Sequence, residues 1–321
     1  MISAASPYEL YMSSTFNVPM RLTPIKNVAE SLKLPVHERG SFEGWEGSWD
    51  HALHPVNLII AVSFGLLIPR EVLRSAAYGG LNLHPSLLPE FRGAAPLHHI
   101  LLSGRRHIGV SLQTLHPTRF DHGTVLAQTP YPGDEIPSPD TCTVQELKDF
   151  VAPKGAAMLV RGICEKLFLP PVQDVSWWKG DRSSDGAKSF PRAPKVTPQD
   201  SQVAWSTWTA AEILRRQRVL GPLWTQVKER DGETGTRVIM HGLQEAPRLR
   251  APTWKTGHFY LAKADTLPRL LLRTCDERVL SVDQITVEGR PRMDAVAAAH
   301  RYRELLAHES EHGSLEETGR D

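Results

Sequence analysis

Residues 56 to 62 read VNLIIAV, an apolar run interrupted only by Asn57, and they stop at Ser63-Phe64-Gly65. A short β-branched run bounded by turn residues reads as a strand covered on both faces, the habit of parallel sheets rather than of a sheet with one wet face. A parallel neighbour requires a crossover, and the sequence supplies one. A helical stretch from Pro69 to about Ala76 is followed by Gly79-Gly80 and a second apolar segment, LNLH at 81 to 84, which opens into Pro85-Ser86-Leu87-Leu88-Pro89. Upstream, residues 23 to 36 read as a short helix leading to a strand at 34 to 37.

The alternation continues. Residues 94 to 103 (AAPLHHILLS) read as a helix with Pro near its start, 108 to 115 (IGVSLQTL) as an alternating strand, and 119 to 123 as a loop into a strand at 125 to 129. A helix over 143 to 169 has Leu147, Val151, Met158 and Cys164 as core positions. Strands alternating with helices predict an α/β sheet that binds ligands beyond the carboxyl ends of its strands. From 177 to 200 the composition turns to Gly, Ser, Asp, Lys and Pro, which reads as a linker. Beyond it stand a helix at about 210 to 220 and short strands near 224 to 227, 237 to 243, 257 to 260, 270 to 274 and 279 to 287. A closing helix lies in PRMDAVAAAHRYREL. Short strands separated by turns predict a small β-barrel. The division expected is 1–178, an α/β domain; 179–199, a linker; 200–303, the barrel; and 304–321, an acidic tail.

A chain of 321 residues suits two domains, and no apolar stretch reaches the roughly 18 residues of a membrane helix, so a soluble protein is expected. Its 37 Lys and Arg against 36 Asp and Glu exclude a polycation, yet the total is a cancellation. Residues 200 to 303 hold 17 basic against 12 acidic side chains, and residues 304 to 321 hold 1 against 6. A local excess on a barrel suits a polyanion such as RNA, and an ordinary solvated surface with an acidic tail accounts for the same numbers. Cys142, Cys164 and Cys275 are odd in number and far apart, so neither a disulfide framework nor a zinc site is expected. The first 20 residues spell neither a secretory signal nor a transit peptide.

Asn82 and His84 stand two apart on a strand and therefore project from one face, placing an amide donor beside an imidazole. Asp121, on the loop after the next long strand, is able to approach the same point. The trio lacks a nucleophile: no GxSxG and no nearby cysteine supports an acyl-enzyme. Direct transfer is the chemistry that suits it, an amine attacking an acyl carbon while Asn82 and His84 donate to the oxygen that gains charge and Asp121 handles the amine's proton. Taken singly, a His at a strand end reads as well as a structural residue, and Asp121-His122-Gly123 as a turn. His98, His99, His107 and His116 are assigned no role.

Taken together, NLHPSLLPEFRGAAP at 82 to 96 and FDHG at 120 to 123 resemble the folate-dependent formyltransferase family. The resemblance implies that Asn82, His84 and Asp121 are catalytic and that Ser86, Leu87, Leu88 and Pro89 contact the tetrahydrofolate carrier. It implies 10-formyltetrahydrofolate as formyl donor and no metal. Residues 56 to 69 are similar to the family's strand and turn beside the pterin pocket. APKVTPQDSQVAWS at 193 to 206, with Lys195 and Trp205, resembles the second domain of the members that formylate methionyl-tRNA, as do GPLWTQV at 221 to 227 and VEGRPRMDAVAAAHRYR at 287 to 303.

The resemblance thus implies a Rossmann-like formyltransferase sheet followed by an OB-like barrel that binds tRNA. Initiator methionyl-tRNA would be the acceptor, and the chain a monomer with no membrane partner. A mitochondrial location follows from the family's habitat, with a bacterial cytoplasm as the alternative. Family members place two strands ahead of the segment equivalent to residues 22 to 26, and residues 1 to 21 carry none of their signals, so the sheet is expected to be incomplete on that side. Two other functions fit the motifs: a catalytically impaired RNA-binding remnant, and a formyltransferase or hydrolase acting on an amino-sugar nucleotide or on formyl-folate.

Overall fold

In the computed structural model the run at 56 to 62 yields a short strand whose two faces differ, the outermost of its sheet among the described residues. The structure describes residues 24–34, 42, 56–180, 190–228, 235–246, 249–250, 254–263, 268–306 and 316–317. The chain divides into two units, Met1–Lys195 and Val196–Asp321. In the first, helix α1 (Pro24–Ser31) precedes strand β1 (Ile59–Val62), helix α2 (Arg70–Ser75) and strand β2 (Gly80–His84). The β1 and β2 strands are parallel, with Ile59 opposite Gly80 and Val62 opposite Leu83. Helix α3 (Pro96–Leu102), strands β3 (Ser111–Thr114) and β4 (Val125–Gln128) and helix α4 (Val144–Cys164) follow. The sheet order is β1-β2-β3-β4, antiparallel from β2 onward.

Full burial of β1 is corrected by the structure. Ile59 and Ala61 are buried among Ile68, Leu73 and Ala76, whereas Ile60 and Val62 are each 45% exposed. The reason is position in the sheet: α4 packs on β2, β3 and β4, where Gly155 lies against Leu83 and Gly162 against Leu112. Ile60 and Val62 share that face one strand further out. Helix α4 itself begins at a capping box, Thr143 accepting from the Glu146 N–H while the Glu146 carboxylate accepts from the Thr143 N–H.

The strand expected over 108 to 115 is also divided. His107–Ile108 pairs with Asp134–Glu135, and only Ser111–Thr114 joins the main sheet. At the break, a Cβ on Gly109 would stand 2.3 Å from a Leu87 methyl, so only glycine lets the segment after β2 pack there.

In the second unit, helix α5 (Ala210–Leu220) is capped by the Thr209 side chain and ends at Gly221, whose φ of 83° suits glycine. Strands β5 (Leu223–Lys228), β6 (Gly235–His241), β7 (Phe259–Lys263), β8 (Pro268–Arg273), β9 (Val279–Val282) and β10 (Gln284–Val287) are antiparallel, and helix α6 (Ala295–Arg301) follows. They form two four-stranded sheets, β5-β6-β10 extended by Met293–Asp294, and β7-β8-β9 extended by Gln244–Glu245. Leu223, Val238, Met240 and Ile285 of the first share a core with Phe259, Leu270, Leu272 and Leu280 of the second, together with Ile213 and Ala298. Among the described residues this is a pair of sheets on one core, and no ladder closes them into the expected barrel.

No helix of the described residues is long and apolar enough to cross a membrane. The readings for residues 1 to 23, for a strand at 35 to 37, for 181 to 189 of the linker and for 307 to 315 of the tail fall outside the described residues.

Candidate active site

Period-2 alternation along β2 sends Asn82 and His84 to one face, and the antiparallel register sets Gln113 opposite Asn82 and Ser111 opposite His84. The loop after β3 brings Asp121 back over this row, so the structure does bring the three expected residues together. The Asn82 amide donates to Asp121 Oδ1 at 3.1 Å, and the His84 Nδ1 lies 3.4 Å from the same oxygen. Asp121 Oδ2 accepts the Gly93 N–H at 2.9 Å, and the Asp121 carbonyl accepts from Arg92 Nε at 2.9 Å. Every partner of the carboxylate other than the imidazole is thus an obligate donor. Asp121 holds φ at 58°, a left-handed conformation that Asp tolerates better than most residues. Gly123 completes the loop because a Cβ there would collide with the Thr114 carbonyl oxygen, 1.7 Å away.

His84 is 5% exposed. Its Nε2 lies 2.9 Å from the Phe91 carbonyl oxygen, which can only accept, so Nε2 carries a proton. Nδ1 faces the Asp121 carboxylate. The expectation that His84 presents a free donor is therefore refined: in this state its Nε2–H is held by Phe91. Phe91 is buried, with φ at 56° and its N–H donated to the Pro191 carbonyl. A left-handed non-glycine residue costs about 1–2 kcal/mol and persists where its surroundings fix it. Asn82 has a second amide hydrogen beyond the one given to Asp121.

The Ser86, Leu87, Leu88 and Pro89 side chains are all buried. Their main chain is braced from below: Ser111 Oγ accepts the Leu88 N–H and donates to the Ser86 carbonyl, Gln128 donates to the Leu88 carbonyl, and the Trp177 indole donates to the Leu87 carbonyl. Trp177 stacks on Tyr131 with ring centroids 4.7 Å apart. Sequence reading missed Gln113, Ser111, Gln128, Phe91 and Trp177. A signal existed for two of them, since Ser111 and Gln113 are polar at alternate positions of an otherwise apolar strand.

Cations gather beside the loop. Burial pushes the His122 imidazole down to about 4, and the charges of Arg92, Arg119, His116 and Arg192 add to that effect. Three other histidines have structural surroundings. His116 Nδ1 accepts from the Thr118 and Arg119 N–H groups, His99 Nε2 pairs with the Pro194 carbonyl at 3.0 Å, and burial lowers the pKa of His98.

Comparison with known proteins bears on this geometry. Residues 44–163, which include β2, β3 and Asp121, match the formyl transferase family model. It is 32% identical over 264 residues to the mitochondrial methionyl-tRNA formyltransferase of Saccharomyces cerevisiae, covering 73% of this chain and 61% of that protein. It is 30% identical to the methionyl-tRNA formyltransferase of Moorella thermoacetica, covering 65% of this chain and 62% of that one. The chain thus spans about 60% of the length of these relatives. A solved structure of HypX from Aquifex aeolicus with tetrahydrofolic acid aligns with a TM-score of 0.49 at 16% identity, over 82% of this chain and 42% of that one.

Proposed function

We propose that this chain moves a formyl group from 10-formyltetrahydrofolate to the α-amino group of initiator methionyl-tRNA, with the second unit, two antiparallel sheets on one core, holding the tRNA. The observation that carries the reading is the buried Asn82–His84–Asp121 cluster at the end of β2, set inside the segment that matches the family. The names of the relatives, two of them methionyl-tRNA formyltransferases, favour tRNA over an amino sugar as acceptor.

The residues present suit such a donor. A formyl carbon needs a nearby amide or imidazole donor and no nucleophilic side chain, and Asn82 and His84 meet that need. The segment 86–89 would form the wall against the folate, its backbone fixed by Ser111, Gln128 and Trp177. As the amine adds to the formyl carbon, the second Asn82 amide hydrogen stabilises the oxygen that gains charge. His84 Nε2–H joins it by exchanging the Phe91 carbonyl for that oxygen. The Asp121 carboxylate, 3.4 Å from Nδ1, lies beside the ring and takes up the proton released by the amine. The bond between the carbon and the folate nitrogen then breaks, and the proton returns to that nitrogen. No metal enters this scheme.

A mitochondrial location is favoured by the relatives named mitochondrial in yeast, mouse and human, and a bacterial cytoplasm by the Moorella relative. The test is direct: the full chain is incubated with 10-formyltetrahydrofolate and methionyl-tRNA, and formylmethionyl-tRNA is resolved on an acid gel. Product should form, and His84→Ala should lower the rate about 10²- to 10³-fold, the usual cost of losing one such donor. No product above the His84→Ala control overturns the reading. Retention of tRNA without product would then favour the RNA-binding remnant, and formate release without tRNA a hydrolase.

A further inference from the structure

Gln113 lies on β3 opposite Asn82 and is 1% exposed. A buried amide must place both its oxygen and its nitrogen, and here the polarity is set by a group with no choice. The Gly123 N–H can only donate, and it meets Gln113 Oε1 at 3.1 Å. The amide nitrogen is therefore turned to Asp121 Oδ1, also at 3.1 Å. Backbone N–H, side-chain amide and carboxylate thus form one directed chain that ends on the oxygen shared by Asn82 and His84.

We infer that Gln113 is a positioning residue for the transfer: it fixes the plane of the Asp121 carboxylate and ties the 121–123 loop to β3, so that Asp121 meets His84 Nδ1 and Asn82 in one orientation. The inference rests on the formyl-transfer reading above and adds a residue to it. Without the Gln113 amide, Oδ1 keeps only Asn82 and the imidazole, and the Gly123 N–H loses its hydrogen bond to Gln113 Oε1. The carboxylate is then held by Asn82 and the Gly93 N–H alone, its plane is less closely fixed, and the oxygen facing His84 Nδ1 shifts. Misplacement of a supporting group by about 1 Å costs on the order of 10²-fold in rate, and it acts on chemistry more than on binding.

The experiment compares the full chain with Gln113→Met and Gln113→Glu. Met keeps the volume and removes both hydrogen bonds, whereas Glu keeps an acceptor for Gly123 and removes the donor to Asp121. Both should lower kcat about 10- to 10²-fold with KM for each substrate within about twofold, the split expected when a transition-state contact is lost. Both should also move the His84 imidazole ¹⁵N resonances, assigned by their loss in His84→Gln. Overturning results are a kcat within about twofold of wild type, a loss confined to KM, or unmoved imidazole resonances in a folded variant. Should Gln113→Met fail to fold, Gln113→Glu decides. If the wild-type chain forms no product, the formyl-transfer reading falls, and the ¹⁵N resonances still decide whether Gln113 sets the ring.

Discussion

His122 follows Asp121 in its loop and gives this site a measurable pH signature. Its imidazole is held at about 4 in the fold by burial and by Arg92, Arg119, His116 and Arg192, against an ordinary value of 6.5. Between those values the unfolded chain binds a proton that the folded chain refuses, so the contribution of this group to stability falls as pH drops from 6.5 toward 4 and is level below that. His122→Asn should reduce the decline in Tm between pH 6.5 and 4 relative to wild type, with little change above pH 7. Parallel Tm–pH curves for the two proteins would refute it. At this scale the sequence was informative where alternation alone decides, as for Asn82 and His84 on one face. Asp121 was placed by its motif. Gln113 was visible as a polar position on its strand, but its role comes from a register, Asn82 opposite Gln113, that no local pattern encodes. Phe91 was invisible because its contribution is a carbonyl oxygen, which every residue has.

At the scale of elements, β1 shows what an apolar run does and does not specify. Seven residues of low polarity predict a strand, and a strand formed, but which strand becomes the edge depends on where a helix lies in space. Ile59 and Ile60 are neighbours in sequence, and their side chains lie on opposite faces, one buried at 7% and one exposed at 45%. Ile59→Ala should therefore cost about 2–3 kcal/mol, near the lower end of measured buried Ile truncations, and Ile60→Ala less than about 1 kcal/mol. Urea denaturation of the two variants measures the difference, and equal midpoints would mean that both faces are covered in solution. Helix α5 was legible to its ends, because Thr209 and Gly221 mark them. The strand expected over 108 to 115 was not, since its break at Gly109 answers to Leu87, more than 20 residues away in sequence.

For the molecule as a whole, charge has to be weighed locally. A net charge of +1 would give almost no long-range attraction for a polyanion, yet screening confines such fields to about 8–10 Å at physiological salt. A phosphate backbone lying along the second unit would meet the 17 Lys and Arg among residues 200 to 303, offset by 12 acids, and not the sum over the chain. If tRNA is held there as proposed, each neutralised phosphate releases condensed counterion, and affinity must fall as a power of salt concentration. With about three phosphates contacted, raising KCl from 50 to 200 mM should weaken tRNA retention by the full chain roughly 20- to 40-fold. The same titration of His84→Ala should give the same slope, because His84 lies in the first unit and not among residues 200 to 303. A salt-independent Kd would remove electrostatic capture by the second unit and leave the acceptor to be recognised at the catalytic site alone. A slope altered by His84→Ala would instead place the phosphates against the loop that carries Asp121, where Arg92, Arg119 and Arg192 already act on His122.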